Sequence, residues 1–173
     1  MKKAIAISMV LILGLSLLAG CGGGGAKTTS SYTSDDGKTT VSLTYPDNDQ
    51  YKWSTDSTNL RTSSIKAAIV APDFNIGVSV RWYGNSNNFD ELKANRSADS
   101  KDFAEATYGG IKGFSYYYDS YYTYVVSLPI EGNKSDYVEL WVTPAGNDDD
   151  VSKSTFNSAA VQEILKSVQI TTQ

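Results

Sequence analysis

The larger part of this chain alternates apolar and polar residues with the period of a β-strand. Val41, Leu43 and Tyr45 alternate with small hydroxyl residues, and the run stops at Pro46. Residues 74–82 repeat this alternation and form the clearest strand pattern in the chain. A period of two places every second side chain on the same face of a sheet, so these runs predict half-buried strands. The same reasoning predicts strands over residues 65–71, 103–108, 111–118, 121–130 and 137–143.

Two segments change from the period of a strand to that of a helix. Residues 88–98 place Phe89 and Leu92 three positions apart, with acidic residues in the first turn, where the helix dipole favours them. A C-terminal helix is predicted from apolar residues spaced i, i+3, i+4 and i+7. These residues are Val161, Ile164, Leu165 and Val168. Short connections favour antiparallel strands, so the predicted fold class is α+β, a mostly antiparallel sheet of about six to seven strands packed with a middle helix and a C-terminal helix.

The N-terminus carries a pattern that is typical of an export signal. Lys2 and Lys3 precede an uncharged apolar stretch that ends in Leu18-Ala19-Gly20-Cys21. The stretch, about 15 residues, is shorter than the roughly 20 that a membrane-spanning helix requires. Small residues before a cleavage point suit a signal peptidase. The segment 18–21 resembles the lipobox of bacterial lipoproteins, which implies removal of residues 1–20 and attachment of a diacylglyceryl group to the Cys21 thiol.

The residues that follow the cysteine predict a tether. Residues 22–25 are all glycine, and the run to Gly37 is almost entirely Gly, Ser, Thr, Lys and Asp. Such a stretch buries too little apolar surface to offset its ordering entropy, so we expect it to be flexible. The chain therefore divides into a lipoprotein signal peptide (1–20), a lipidated cysteine with a flexible tether (21–38) and a single globular domain (39–173).

Several short motifs of the domain share their order with one known superfamily. They are Tyr45-Pro46 followed by Trp53, the strand ending at Trp82 before Phe89 and Leu92, Tyr108-Gly109-Gly110-Ile111-Lys112-Gly113 before an aromatic strand, and Val138, Leu140, Val142 and Pro144 before Ile164-Leu165-Lys166-Ser167-Val168. Together they resemble the PsbP-like superfamily, which includes many small bacterial lipoproteins, over nearly all of residues 39–173. The resemblance implies an α/β/α sandwich and brings no catalytic residues that transfer to this chain.

Composition excludes several classes of function. The chain has no histidine and one cysteine, which excludes His-based triads, disulfide frameworks and Cys/His zinc sites. The formal net charge of −4, without a basic block, argues against a nucleic-acid partner. We predict no cofactor and no metal site.

Three local motifs invite a chemical interpretation. Ser63-Ser64-Ile65-Lys66 matches the Ser-x-x-Lys pattern of serine acyltransferases, but on a predicted strand an offset of three sends the two side chains to opposite faces. The acidic runs 47–49 and 148–150 could hold calcium, although neither continues into the loop that an EF-hand needs. A turn after Pro46 and a solvated loop before a helix are the simpler interpretations, and the pattern marks no carboxylate as buried.

The most unusual feature is the density of tyrosine between residues 116 and 124. A two-residue hairpin at Asp119-Ser120 pairs Tyr117 with Tyr122 and Tyr118 with Tyr121. The strand period then divides the aromatic residues between two faces. The predicted core face carries Tyr117, Tyr122 and Tyr124, and the opposite face carries Phe114, Tyr116, Tyr118, Tyr121 and Trp141.

Stacked aromatic rings with hydroxyl tips suit a sugar, peptide or protein surface. Tyr116, Tyr118, Tyr121 and Trp141 are therefore the candidate ligand-binding residues, and if they form a binding face, the rings of the three tyrosines should be accessible. The alternative is that a helix or loop covers this face as a second core layer, or that aromatic pairs stabilise the hairpin.

Two functions are compatible with these patterns. The first is a monomeric lipoprotein, anchored by lipid on the extracytoplasmic face of the cell membrane, whose non-catalytic domain binds or scaffolds an envelope protein or a carbohydrate. The alternative is an envelope hydrolase that uses carboxylates or a Ser/Lys pair. A deep pocket with convergent carboxylates would favour the hydrolase, whereas a packed sandwich with a shallow aromatic patch would favour the binding domain.

The lipid anchor gives the first testable prediction. Cys21→Ala removes the thiol that accepts the lipid, so the protein should remain an unprocessed precursor or be released in soluble form. Membrane fractionation and mass spectrometry of the product measure this directly. A membrane-bound alanine variant with the mature mass of the wild type would contradict the lipoprotein assignment.

Overall fold

The computed structural model describes residues 25–56, 62–84 and 86–173. The predicted signal peptide and Cys21 lie outside the described residues. No helix among the described residues is long and apolar enough to cross a membrane. The elements follow in the order β1 (Lys27–Thr33), β2 (Thr39–Pro46), β3 (Lys52–Ser54), β4 (Ala67–Val70), β5 (Phe74–Trp82), α1 (Phe89–Asp99), β6 (Lys101–Tyr108), β7 (Ile111–Tyr118), β8 (Thr123–Pro129), β9 (Asp136–Pro144), α2 (Asp149–Phe156), α3 (Ala159–Lys166) and β10 (Gln169–Thr172).

The described strands form two antiparallel sheets. The larger sheet has seven strands in the order β3-β4-β5-β9-β8-β7-β6, and the smaller has the order β1-β2-β10. This confirms the predicted α+β class with a mostly antiparallel sheet. The predicted number of strands is too low because β1, β3 and β10 are short or rich in hydroxyl residues and so lack a clear apolar alternation.

Both faces of the larger sheet are buried. One face packs against the smaller sheet and against α2 and α3 to form the main core, whose members include Val41, Val126, Leu140, Phe156 and Leu165. The opposite face lies beneath α1 and forms a second core of Ile65, Tyr83, Leu92, Phe114, Tyr116, Val125, Tyr137 and Trp141. Successive strand residues point to alternate faces, so the middle strands β8 and β9 are buried at nearly every position. The second core layer is the alternative that the sequence left open for the tyrosine face.

Helix α1 confirms the prediction for residues 88–98 to within one residue. Asn88 caps the helix by accepting the Glu91 N–H at 2.9 Å. The Glu91 side chain reaches back and accepts the Asn87 N–H at 2.8 Å, so two donors at the helix start have partners. Leu92 is the buried residue of the helix, and it packs α1 onto the second core.

The predicted C-terminal helix is confirmed as α3, which buries Val161, Ile164 and Leu165, but the sequence did not predict the separate helix α2 before it. Asp148 accepts the backbone N–H groups of Asp150 and Val151 and caps α2. Helix α2 ends at Phe156. The next helix, α3, is capped by the Ser158 hydroxyl, which accepts the Val161 N–H at 3.4 Å. A serine side chain can form hydrogen bonds with nearby backbone groups in place of the helical ones. Ser158 therefore favours a new helix start, which the spacing of the apolar residues does not mark. The acidic run 148–150 forms the N-cap and the first turn of α2, whereas the simpler interpretation from the sequence was a solvated loop before a helix.

The predicted flexible tether over residues 21–38 is wrong at residues 27–33, which form β1 against β2. Tyr32 of this strand is partly buried against the main core. Hydroxyl groups also meet across the strand pair, at 2.8 Å for Thr29–Thr44, 2.8 Å for Ser31–Ser42 and 2.9 Å for Thr33–Thr40. The prediction considered only apolar burial, whereas cross-strand pairs of hydroxyl residues also stabilise a sheet.

The packing of α3 gives the second prediction. Leu165 is fully buried in the main core, so Leu165→Ala should lower the free energy of unfolding by about 2–5 kcal/mol. Val151→Ala is the matched control, because Val151 is exposed on α2 and its truncation should change the free energy by about 0.5 kcal/mol or less. Urea denaturation of both variants measures the difference. A loss below about 1 kcal/mol at Leu165 would contradict the assigned packing of α3.

Candidate functional site

The turn between β7 and β8 determines where the tyrosines point. The predicted two-residue hairpin is wrong, because a short 3-10 turn over Asp119–Tyr121 and then Tyr122, at φ 51°, separate the strands. Tyr117 pairs with Tyr124 rather than with Tyr122. Since this register differs from the predicted one by two residues, the strand residues keep their predicted faces. Tyr122, predicted in the core, is instead 36% exposed in the turn.

The four candidate ligand-binding residues line one cleft of about 220 Å³, which we call the aromatic cleft. Tyr118 and Tyr121 form its rim, and each is 36% exposed. Tyr116 and Trp141 form its floor and are only 3% and 7% exposed, as members of the second core. The expectation of an accessible ring is therefore wrong for Tyr116, because α1 and its side chains cover this part of the sheet. The alternation of residues along β7 contains no signal of this cover.

The rings of the cleft hold one another in place. Tyr118 lies edge-on to Trp141, with 5.8 Å between the ring centroids and 85° between the planes. Tyr121 lies 6.2 Å from Trp141 and 5.4 Å from Tyr118. Edge-to-face contacts of this kind contribute about 0.5–1.5 kcal/mol each beyond their buried area. The rim is therefore built from mutually supporting rings and is accessible from one side.

Helix α2 supports the turn that carries the rim from the other face of the sheet. The Ser152 hydroxyl donates to the Tyr122 carbonyl oxygen at 2.8 Å, and the Tyr117 hydroxyl donates to Asp149 Oδ1 at 2.6 Å. Tyr124 stacks on Phe156 with 4.5 Å between the ring centroids. These contacts join the start and the end of α2 to the β7–β8 hairpin, so the rim is held by a helix on the opposite side.

Glu139 is a candidate site residue that the sequence interpretation missed. This carboxylate is 2% exposed and lines the cleft from the middle strand of the seven, β9. The Tyr137 hydroxyl donates to its Oε1 at 3.1 Å, and the Trp141 indole N–H donates to its Oε2 at 2.9 Å. A buried charge needs such partners, because unpaired burial is costly. The expectation that no carboxylate is buried is therefore wrong.

A local signal for Glu139 does exist in the sequence. The residue lies between Val138 and Leu140, which face the main core, so alternation places it on the opposite face with Tyr137 and Trp141. That face becomes an interior because Ile65, which precedes β4, and Leu92 of α1 join it in the second core, and both are distant from Glu139 in sequence.

Two arginines bring positive charge to the same cleft. Arg81 Nη1 lies 3.9 Å from Glu139 Oε2, and the Arg81 side chain is 36% exposed. Arg96, from the last turn of α1, places its guanidinium carbon 4.9 Å from the centre of the Tyr116 ring, a cation–π contact. Among the described residues, no carboxylate forms an ion pair with Arg96. In the part of the chain that the structure describes, two cationic groups and one anionic group therefore line the cleft.

The phenols beneath the cleft stay protonated over the physiological range. Burial raises the pKa of Tyr116 and of Tyr137 well above the ordinary value of 10, and the nearby Glu139 carboxylate acts in the same direction on both. On the main-core side, burial and the hydrogen bond to Asp149 raise the pKa of Tyr117 to about 12. The hydroxyl groups of Tyr117 and Tyr137 therefore act as neutral hydrogen-bond donors, to Asp149 and to Glu139.

The other chemical motifs do not assemble into a site. Ser63 lies exposed in a turn before β4, while Lys66 Nζ lies 3.7 Å from Asp35, so the two do not form a nucleophile–base pair. The acidic run 47–49 follows β2 as a turn in which Asn48 Oδ1 accepts the Gln50 N–H. Across the described ranges, no group of three or more acidic, histidine or cysteine residues is placed to hold a metal ion.

A larger cavity of about 480 Å³ lies between the β1–β2 turn and the loop after β8. The charged side chains that line it, such as Lys38, Glu131 and Lys134, are solvent-exposed loop residues. Water and dissolved ions screen the charges of such exposed side chains, so their ion pairs with a ligand would contribute little binding free energy. The aromatic cleft is smaller but contains a buried, hydrogen-bonded carboxylate, and for that reason it is the candidate site.

Comparison of this chain with models of protein families, with curated proteins and with solved structures finds no match. The interpretation of the cleft therefore depends on its own geometry.

The division between rim and floor gives the third prediction. Tyr116→Ser should lower the free energy of unfolding by about 3–5 kcal/mol, because it removes a buried ring from the second core. Tyr118→Ser and Tyr121→Ser should each cost only about 1 kcal/mol, because these rings are partly exposed and lose mainly aromatic contacts. Chemical denaturation of the three variants tests this order. Equal losses at Tyr116 and Tyr118 would contradict it.

The raised tyrosine pKa values give the fourth prediction, on stability at alkaline pH. An unfolded chain releases its phenolic protons near pH 10, whereas folded Tyr116, Tyr117 and Tyr137 retain theirs to higher pH. The unfolded state then binds fewer protons, so the free energy of unfolding should fall above pH 10, by about 1.4 kcal/mol per pH unit for each such group. Urea denaturation between pH 7 and about pH 11 measures the slope, and Tyr137→Phe should reduce it. A free energy that stays constant to about pH 11 would contradict the assigned burial.

Proposed function

We propose that this chain is a membrane-anchored lipoprotein of the bacterial cell envelope whose monomeric domain binds a ligand in the aromatic cleft and catalyses no reaction. One observation carries the proposal. The buried carboxylate of Glu139 lies in the same cleft as Arg81, Arg96 and the partly exposed rings of Tyr118 and Tyr121. Buried charges next to accessible aromatic rings are the features by which ligand sites achieve orientation and affinity.

The chemistry of the lining supports binding rather than hydrolysis. Glycoside hydrolysis uses a pair of carboxylates, and Glu139 is the one carboxylate among the described residues that line the cleft. Both of its oxygens already accept hydrogen bonds, from Tyr137 and Trp141. Ser64 lines the cleft as well, but a serine nucleophile needs an adjacent base, and the cations here are guanidiniums that do not deprotonate.

The position of β1 supports the proposed anchor. β1 belongs to the smaller sheet, which packs on the main-core face, whereas the cleft opens on the opposite face of the larger sheet. A chain held by Cys21 would therefore be attached on one side of the larger sheet and would bind its ligand on the other. Residues 22–26, which separate Cys21 from β1, reach at most about 18 Å when fully extended, so the domain would lie close to the bilayer.

The layer arrangement supports the proposed likeness to the PsbP-like superfamily. Helix α1 covers one face of the larger sheet, and α2 and α3 contribute Phe156 and Leu165 to the core on the other face. Helices on both faces of a central sheet are the arrangement that an α/β/α sandwich requires.

Affinity capture from the producing cells tests the proposed function. The lipidated wild type, a Tyr118→Ser/Tyr121→Ser double variant and Tyr122→Ser would be cross-linked in the envelope and recovered by an affinity tag. Tyr122 is the matched control because it is as exposed as the two rim tyrosines but is not part of the cleft lining. We expect the same envelope protein or carbohydrate with the wild type and Tyr122→Ser, and a strong reduction with the double variant. Equal recovery with all three would contradict binding in the cleft.

A further inference from the structure

Among the described residues, the charges that line the aromatic cleft do not balance. Glu139 uses its two oxygens for the Tyr137 hydroxyl and the Trp141 indole, and Arg81 approaches it only to 3.9 Å, beyond hydrogen-bond distance. Arg96 lies against the Tyr116 ring without a carboxylate partner among the described residues. The described residues that line the cleft therefore carry one net positive charge, together with guanidinium donors whose planar arrangement matches a carboxylate or a phosphate.

This excess of one positive charge favours a ligand group that carries a single negative charge. A phosphate monoester carries nearly two negative charges at neutral pH and would leave the cleft with a net negative charge next to buried Glu139. A carboxylate carries one and neutralises the cleft. Like charges in a partly desolvated site repel strongly, so the carboxylate is the better match.

The volume and the lining restrict what carries the carboxylate. A cavity of about 220 Å³ is smaller than the usual site for a drug-sized ligand, roughly 300–1,000 Å³, and so accepts a single small ring. Hydroxyl groups of Thr62, Ser64 and Tyr118 line the cleft together with the aromatic rings. Hydroxyl side chains both donate and accept hydrogen bonds, as the hydroxyl groups of a sugar do.

We propose that the ligand of the aromatic cleft is an acidic sugar unit, a pyranose ring that carries a carboxylate, as a hexuronate does. Arg96 and Arg81 bind the carboxylate, the hydroxyl residues bind the ring hydroxyls, and the rim tyrosines cover the ring. This inference rests on the proposed function and specifies its ligand class. A free hexuronate and the terminal unit of an acidic polysaccharide present the same chemistry.

Binding can be followed at the indole N–H of Trp141. The chain has three tryptophans, and Trp141 lines the cleft with its N–H bonded to Glu139. Trp53 and Trp82 do not line it, so their indole signals are internal controls. The full-length lipidated protein in detergent micelles would be titrated with galacturonate, with neutral galactose and with trigalacturonate by NMR, and affinities would be measured by calorimetry. Trp141→Phe assigns the signal.

Two charge variants isolate the role of the guanidinium. Arg96→Gln should weaken galacturonate binding about tenfold, which corresponds to the loss of a charge-assisted contact. Lys93→Gln is the matched control, because it removes the same charge from the same helix but Lys93 pairs with Glu105 outside the cleft. We expect this control to bind as the wild type does. A retained position of the Trp53 signal shows that each variant is folded, because this ring packs against the main core.

The outcomes separate this inference from the proposed function. A shift of the Trp141 signal with galacturonate but not with galactose, weakened in Arg96→Gln only, supports the inference. Tighter binding of trigalacturonate than of galacturonate identifies a polysaccharide as the source, and equal binding identifies the single sugar. Equal binding of galactose and galacturonate overturns the acidic class but leaves a binding cleft. No Trp141 shift with any of the three sugars overturns the inference, while the capture experiment decides the proposed function independently.

Discussion

The buried carboxylate of Glu139 is the interaction on which the candidate site depends. It lies on β9, the middle strand of a seven-stranded sheet that is covered on both faces, so water cannot stabilise its charge. Its partners Tyr137 and Trp141 are two residues away on the same strand and face, where the strand period must place them. Because Trp141 is held by this bond, the rings of Tyr118 and Tyr121 have a fixed surface to pack against.

The β7–β8 hairpin uses its tyrosines in two ways, and the strand period separates them. Tyr117 and Tyr124 face the main core and donate their hydroxyl protons to Asp149 and Asp102, which ties α2 and the start of β6 to the hairpin. Tyr116 faces the second core and supports the guanidinium of Arg96. The first pair therefore stabilises the framework, and the other face forms the cleft, so substitutions on the two faces should have different consequences.

Periodicity predicted the parts of the fold that depend on local sequence. The strand over residues 74–82, the helix at Leu92 and the opposite faces of Tyr116 and Tyr117 all follow from spacing alone. The sequence did not predict β1, whose stability comes from pairing with β2 and from hydroxyl contacts across the two strands. It also missed the burial of Glu139, because residues that complete the second core on this face, such as Ile65 and Leu92, lie far away along the chain. Partners that are distant in sequence leave no periodic signal, and the candidate site is built from such partners.

A double-mutant cycle between Glu139 and Trp141 tests this account most directly. Glu139→Leu removes the charge and the acceptor oxygens, Trp141→Phe removes the N–H donor, and the double variant removes both. If the indole N–H stabilises the buried carboxylate, the free energies of unfolding from urea denaturation should depart from additivity by about 1–3 kcal/mol, as expected for a hydrogen bond to a buried charge. Additivity to within about 0.5 kcal/mol would mean that the two groups do not interact, which would contradict the central role assigned to Glu139.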